Sequence, residues 1–216
     1  MPKFIRGLLW VVGTLAVVAG ILRATCMDVW RIPEDDALFS ASLRPNLAAG
    51  DVVVLLRGFL PAHADVVRCT HPDPAQTGRY VVGRVLGDAG DRISTDGIHM
   101  SINGHVTRVT HACDPSNMDV IDPNTGNPHS LFCDWEEYGG TVYKRLHATG
   151  EDARSSSTTI ETSPGHLFLA SDNRYYHQDS RDFGAVDVAS CPEKIVFRLI
   201  GAGGWLDSES RMTLIR

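Results

Sequence analysis

The stretch that decides the fold lies near the C-terminal end of the sequence and reads SDNRYYHQDSRDFG, from Ser171 to Gly184. Its acidic and basic side chains recur at fixed spacing, as Asp172, Arg174, Asp179 and Arg181. Each arginine presents a planar fork of N–H donors that fits a carboxylate. The stretch therefore predicts a partly buried ion-pair network that braces a functional site. The alternative is a solvated polar loop.

Three segments upstream help to decide between these two interpretations. They are SASLRPNLAAGD at Ser40–Asp51, HADVV at His63–Val67 and YVVGRVLGDAGD at Tyr80–Asp91. The first combines two serines with a proline, a leucine and a Gly-Asp pair at fixed offsets, and this is more specific than a serine-rich turn into a strand. The second is weak by itself, and the third adds an arginine and two glycines at fixed offsets.

Taken in chain order, the four segments resemble the conserved boxes of the type I signal peptidases, a family of membrane-bound serine proteases. Ser171–Gly184 corresponds to the fourth box. The resemblance covers residues 40–103 and 164–200. It implies a mostly β fold, with a catalytic domain of coiled β-sheets, an inserted cap and one N-terminal transmembrane helix. The predicted boundaries are 1–25 for the anchor, 26–110 and 164–216 for the catalytic domain, and 111–163 for the cap.

The resemblance also implies the catalytic residues. Ser42 would be the nucleophile, and Ser40 would offer its hydroxyl to the oxyanion. The residue before Arg84 corresponds to the general-base lysine of the family, and in this sequence it is Gly83. The lysines of the chain stand at positions 3, 144 and 194, none of which matches. The usual base is therefore absent.

His177 is the candidate for the missing base. It occupies the place in the fourth box where the family has a serine beside the catalytic lysine, and an imidazole is a natural base near neutral pH. Loss of the lysine side chain at Gly83 is expected to open a space beside Ser42 that His177 borders, with Asp179 or a water fixing the tautomer. Two alternatives stay open: a histidine in the polar loop of a weak or inactive enzyme, or a base from another residue.

The N-terminal segment predicts a membrane anchor. Gly7–Leu22 contains no charged residue, and Lys3 and Arg6 precede it. Counted from Phe4, with the Arg6 side chain reaching the interface, the segment has 19 residues, enough to cross the hydrocarbon core of a bilayer. The positive flank favours a cytoplasmic N-terminus and a catalytic domain on the extracytoplasmic side of the membrane. A cleaved signal peptide and a buried soluble helix are the alternatives, but Arg23–Cys26 offers no small-x-small cleavage site.

Short valine-rich runs predict strands, at Asp51–Leu56, Ala64–Arg68, Tyr80–Leu86, Ile93–Ile102, His166–Ala170 and Lys194–Ile200. Asn103-Gly104 predicts a two-residue hairpin turn. Residues 111–163 are polar and turn-rich, which indicates an insertion attached to the core rather than a part of it. Within them, Cys113 and Cys133 would close a loop of about 20 residues, worth on the order of 3 kcal/mol. Unpaired structural cysteines are the alternative.

Composition narrows the function further. A formal net charge of −6 gives no reason to propose a nucleic-acid surface. The sequence has no Cys-x-x-Cys or His-x-x-His spacing, so we predict no metal site, and no cofactor is implied.

The expected partners are membrane lipid and the signal peptides of exported preproteins, cleaved after small residues. The competing function is a non-catalytic homologue that binds a preprotein or pilin segment. A self-cleaving repressor is disfavoured by the anchor and by the lack of a DNA-binding helix pair.

Overall fold

The computed structural model describes residues 3–149 and 157–216, apart from the side chains at positions 3, 6, 8, 19 and 22. Strands dominate these residues, so the predicted mostly β fold class is confirmed. Residues 1–2 of the predicted anchor and 150–156 of the predicted cap lie outside the described part of the chain.

The main sheet is antiparallel and carries most of the predicted strands. In spatial order it contains β1 (Met27–Arg31), β2 (Val52–Arg57), β14 (Glu193–Ile200), β3 (Val66–Thr70), β4 (Tyr80–Gly87), β12 (His166–Ala170) and β13 (Val186–Asp187). A short strand, β15 (Thr213–Leu214), pairs with β14. The register shifts within β14 and β12 where they pair with β2 and β4, which adds local twist to the sheet.

Two smaller sheets complete the strands of the described residues. The second sheet contains β8 (Arg108–Ile121), β9 (Pro128–Tyr138) and β10 (Thr141–His147), in the order β10-β9-β8. The third contains β5 (Arg92–Thr95), β6 (Met100–Ile102), β7 (His105–Val106) and β11 (Thr158–Glu161), in the order β11-β5-β6-β7. The α-helices are α1 (Lys3–Thr25), α2 (Ala37–Ser42) and α3 (Ser180–Phe183).

The short helix α2 lies between the main sheet and the second sheet. Phe39 belongs to a buried cluster with Val53 and Leu55 of the main sheet. Ala41, two residues later, belongs to a different cluster, which is built mostly from the second sheet and includes Tyr176. Burial of apolar surface on both sides therefore fixes the position of the helix that ends at the candidate nucleophile.

Five of the predicted strands are confirmed, to within two residues at their ends, as β2, β3, β4, β12 and β14. The predicted strand Ile93–Ile102 is wrong, because the chain turns at Asp96 and forms β5 and β6 instead. The Asp96 side chain accepts hydrogen bonds from the backbone N–H groups of Ile98 and His99, which stabilises that turn.

The predicted hairpin turn at Asn103-Gly104 is confirmed between β6 and β7. Both residues have positive φ, of 54° and 84°. This is the backbone geometry of the tight turn whose twist matches that of the flanking strands, and asparagine and glycine adopt it more readily than other residues do.

The region predicted as an insertion, 111–163, contains long strands that the sequence did not indicate. β8, β9 and β10 run for 14, 11 and 7 residues. They carry charged side chains that are nevertheless buried, such as Asp134, Glu136 and Arg145. Polar residues at inward positions hide the apolar alternation from which strands are recognised in a sequence.

Two disulfides join distant parts of the described chain. The predicted bridge Cys113–Cys133 links β8 to β9. A second bridge, Cys69–Cys191, which the sequence does not indicate, ties β3 to the segment before β14. Its partners are 122 residues apart, so no local spacing could have indicated the pair.

The N-terminal helix α1 exposes much of its apolar surface, including Leu9, Trp10, Leu15 and Val17. In the described part of the chain, no helix meets both the length and the apolarity needed to cross a membrane.

The two bridges predict unequal losses of stability. Replacing Cys113 and Cys133 together by serine should lower the free energy of unfolding by on the order of 3 kcal/mol, since a short loop is released. Replacing Cys69 and Cys191 should lower it by on the order of 5 kcal/mol, because the closed loop is longer. Urea unfolding of the full chain in detergent measures both. Equal losses, or the reverse order, would contradict the loop-length argument.

Candidate active site

The candidate nucleophile Ser42 is the last residue of α2. Asp36 caps the start of this helix, where its carboxylate accepts a hydrogen bond from the backbone N–H of Phe39 at 3.0 Å. Ser42 is buried, and its Oγ donates to the backbone carbonyl of Phe39 at 2.8 Å. A carbonyl oxygen cannot take up the hydroxyl proton, so in this rotamer Ser42 is not activated.

Ser40, the predicted oxyanion donor, lies on the same helix and is half-buried. Its backbone N–H donates to the carbonyl of Asp36 at 2.9 Å. Its hydroxyl makes no hydrogen bond to the residues that the structure describes. The hydroxyl therefore does not have to break an internal bond in order to serve a ligand.

Asn173 fastens the 171–184 loop to the end of α2. Its backbone N–H donates to the carbonyl of Ser42 at 3.3 Å, and its Nδ2 donates to the carbonyl of Ala41 at 3.0 Å. Its Oδ1 accepts the backbone N–H groups of Tyr175 and Tyr176. One buried amide thus connects the nucleophile's backbone with the residues immediately before His177.

His177, the candidate base, does not contact Ser42 in this structure. Its Nδ1 lies 2.8 Å from Oδ2 of Asp182, and the side chain is mostly covered. No hydrogen bond between Ser42 and His177 exists within residues 3–149 and 157–216. The sequence-based suggestion that Asp179 or a water holds the imidazole differs from the structure, where Asp182 is the partner.

The space expected beside Gly83 is closed. A Cβ built on Gly83 would lie 2.9 Å from the Cβ of Leu169 and 3.4 Å from the carbonyl oxygen of Ala170. The expectation that a missing lysine leaves room at this position is therefore wrong, because β12 packs directly over the glycine. A side chain at Gly83 would require β12 to move.

Arg84, next to this glycine, forms a buried ion pair with Asp172. Its Nε and Nη2 donate to the two carboxylate oxygens, each at 2.8 Å, and its Nη1 donates to the carbonyl of Ala64 at 2.7 Å. Asn46 adds a hydrogen bond from Nδ2 to Oδ2 of Asp172 at 2.7 Å. Asp172 was predicted as structural support, and its partner lies outside the fourth box.

Glu136 of β9 is the centre of a second buried network. Its carboxylate accepts hydrogen bonds from Thr107, Tyr143, Arg145 and Arg174. Burial alone would raise its pKa, but the charges of Arg174 and Arg145, together with these hydrogen bonds, lower it from 4.5 to about 2. Arg174 of the fourth box is therefore paired with the second sheet.

The third pair, Asp179 with Arg181, lies entirely within the fourth box. Nε and Nη2 of Arg181 donate to the two oxygens of Asp179 at 2.9 and 2.7 Å, and the backbone N–H of Ser171 donates to Oδ2 at 2.7 Å. Burial would raise the pKa of Asp179, but the Arg181 charge and these hydrogen bonds hold it well below the usual range. All four predicted bracing side chains are thus buried and paired.

A groove of about 180 Å³ runs between α2 and the start of β4. Its lining includes Asp36, Phe39, Arg79, Tyr80 and Gln178. β4 pairs with β3 from Tyr80 to Arg84, but with β12 only from Arg84 onwards. In the described part of the chain, the backbone of Tyr80–Gly83 therefore has one unpaired edge.

Two groups of side chains approach the geometry of a metal site. They are His63, Asp88 and Asp91, and His177, Asp179 and Asp182. In the second group Asp179 is already held by Arg181 and Asp182 by His177. We assign no ion to either group.

Sequence reasoning missed three residues of the site. Asp182 stands three residues after Asp179, which is the spacing of a capping box, and that signal could have been used. Asn173 lies inside the fourth box but was not given a role. Glu136 had no local signal, because its partners lie at positions 107, 143, 145 and 174.

Loss of the Arg84–Asp172 pair should strongly destabilise the chain. Asp172→Asn leaves the Arg84 guanidinium buried without a counter-charge, and we expect a loss of about 3–5 kcal/mol in the free energy of unfolding, measured with urea. Glu34→Gln is the control, since the Arg31–Glu34 pair is exposed and such pairs contribute little. A loss no greater than that of the control would contradict the assignment.

The lowered pKa of Glu136 predicts that the folded chain loses stability in acid. A carboxylate whose pKa is lower in the folded chain stabilises the fold fully above the unfolded value, here 4.5, and loses that effect as the pH falls towards about 2. Thr107→Val removes one hydrogen bond to Glu136, so its pKa should rise and the acid unfolding midpoint should move to higher pH. Thr110→Val, whose hydroxyl bonds the Trp135 carbonyl instead, should leave the midpoint in place.

Comparison with known proteins supports the resemblance seen in the boxes. A search of curated proteins returned no match for this chain. The family model described as signal peptidase, peptidase S26, matches residues 5–200, which include α2, β4 and the 171–184 loop. The match extends over most of the chain, and the chain therefore belongs to the signal peptidase family, peptidase S26.

Proposed function

We propose that the chain is a signal peptidase I-like serine endopeptidase that removes signal peptides from exported preproteins after small residues. The observation that carries this proposal is the groove between Phe39 of α2, the helix that ends at Ser42, and Tyr80, the first residue of the unpaired edge of β4. Membership of the signal peptidase family supports serine peptidase chemistry at this place.

The substrate would bind as an added strand. An extended peptide can pair with the free backbone edge of Tyr80–Gly83, so that main-chain hydrogen bonds supply affinity and the groove walls select side chains. Phe39 and Gln178 line it from the two elements that carry Ser42 and His177.

The chemical step would begin at Ser42. Its Oγ has to leave the Phe39 carbonyl and attack the scissile carbonyl carbon, while its proton passes to His177. The C–N bond then breaks, the amine leaves with that proton, and water hydrolyses the acyl-serine. The backbone N–H of Ser42 and the hydroxyl of Ser40 would stabilise the oxyanion.

The location of the chain is also a proposal. The uncharged stretch Gly7–Leu22 falls within the 23 residues of α1, whose described apolar side chains are largely exposed. Lipid is the partner that would cover such a surface. The bridges Cys69–Cys191 and Cys113–Cys133 suit an oxidising compartment outside the cytoplasm. We propose a single-pass protein with its catalytic domain on that side.

A specific observation favours a second function, a non-catalytic homologue that binds preprotein segments. Leu169 fills the place where the side chain of a lysine base would begin, and the Ser42 hydroxyl is buried against a carbonyl. A binding protein needs the groove and the free edge of β4 but needs no base.

Cleavage of a preprotein by the full chain in detergent separates the two functions. We expect the wild type to cleave, Ser42→Ala to abolish cleavage because the nucleophile is lost, and His177→Ala to lower the rate by about 10²–10⁴-fold because the base is lost. His105→Ala, on the exposed strand β7, is the matched control and should cleave like the wild type.

A mechanism-based inhibitor that acylates serine gives an independent readout. It should label wild type and leave Ser42→Ala unlabelled. A wild type that neither cleaves nor becomes labelled, yet still binds a signal peptide, would establish the binding function instead. Full activity of His177→Ala would show that another group is the base.

A further inference from the structure

The contact between His177 and Asp182 has the geometry of the second half of a serine protease triad. The Nδ1 atom lies 2.8 Å from Oδ2 of Asp182. A carboxylate at this position accepts a hydrogen bond from Nδ1–H, which leaves the lone pair on Nε2. Nε2 has no hydrogen-bond partner among the residues that the structure describes.

We propose that Asp182 is a positioning residue that holds His177 as the base, so that Ser42, His177 and Asp182 act as a relocated triad. This inference rests on the proposed function, in which His177 accepts the Ser42 proton. It assigns a role to a residue that corresponds to no fixed position of the fourth box.

The local structure holds Asp182 in place. Asp182 is the third residue of α3, and its Oδ2 also accepts the backbone N–H of Asp179 at 2.9 Å in a capping box. Asp179 is itself fixed by Arg181 and by the backbone of Ser171. The carboxylate that meets His177 therefore has little rotational freedom, as a positioning group requires.

The same contacts define the charges around the imidazole. Asp182 faces Nδ1 directly, and Asp179 is near enough for the charge of a protonated His177 to lower its pKa. Asp179 is largely neutralised by its two-point contact with Arg181. Asp182 is thus the carboxylate left to stabilise an imidazolium.

The two residues that flank His177 in the sequence are associated with α2, the helix that ends at the nucleophile. Tyr176 shares a buried cluster with Ala41, the residue before Ser42. Gln178 lines the groove together with Phe39, the residue that accepts the Ser42 hydrogen bond. His177 therefore stands in the sequence between two residues associated with α2, and the triad requires a movement that frees the Ser42 hydroxyl from Phe39 and brings it to Nε2.

The proton balance assigns no proton to Asp182. The Ser42 hydroxyl proton moves to Nε2 of His177 as the C–O bond forms, and His177 returns it to the leaving amine as the C–N bond breaks. Asp182 stays ionised throughout and stabilises the positive charge on the imidazolium. Removing its charge should therefore affect the chemical step more than substrate binding.

The test compares Asp182→Asn with the wild type in cleavage of a preprotein by the full chain. The amide oxygen of asparagine can still cap α3 and accept Nδ1–H, so only the charge is lost. We expect kcat to fall by about 10²-fold or more with KM nearly unchanged, and the acid limb of kcat/KM to move to lower pH. Asp187→Asn, which changes the N-cap of the turn at Val188–Ser190, is the matched control and should behave like the wild type.

A readout independent of turnover is the tautomer of His177, observed by NMR in the Ser42→Ala background. Adding Asp182→Ala, which removes the acceptor of Nδ1–H, should leave the imidazole as a mixture of its two tautomers. An unchanged tautomer in that variant, or wild-type kcat and pH profile in Asp182→Asn, would show that Asp182 is only a cap.

The outcomes separate this inference from the proposed function. Loss of activity in His177→Ala with full activity in Asp182→Asn overturns the role of Asp182 and leaves the base in place. A wild type without cleavage, or a fully active His177→Ala, overturns the proposed base and the triad with it.

Discussion

A buried carboxylate between two buried arginines is the interaction on which the rest of the site depends. Glu136 on β9 pairs with Arg145 on β10 and with Arg174 in the 171–184 loop. Buried charges are tolerated when they are paired, and one left without its partner is strongly destabilising. If the second sheet and the loop separated, Glu136 and Arg174 would lose their charged partners. The contact with Glu136 therefore fixes the position of the loop.

The loop in turn positions the groups that could carry chemistry. Asn173, next to Arg174, binds the backbone at Ala41 and Ser42, while the capping box further along presents Asp182 to His177. Leu169 closes the space beside Gly83. A side chain at Gly83 would require β12 to move, whereas His177, the proposed base, lies on the loop.

Much of the fold could be predicted because it depends on neighbours in the sequence. Short apolar runs rich in valine marked β2, β3 and β4, and the two residues of the Asn103-Gly104 turn need only their own backbone preferences. The strands of the second sheet were missed, since Glu136 and Arg145 sit at inward positions and break the apolar pattern. The bridge between Cys69 and Cys191 was missed because nothing local distinguishes one cysteine partner from another.

The sequence by itself determined the family, the positions of five strands of the main sheet and the candidate residues Ser42, Gly83 and the charged side chains of the fourth box. Only the tertiary structure decided which partners those side chains take. Asp172 pairs with Arg84, Arg174 with Glu136 and His177 with Asp182, and it is Leu169 that closes the space at Gly83. The physical reason is that residue spacing fixes backbone geometry over a few positions, whereas burial and charge pairing are set by segments that meet only when the sheets pack.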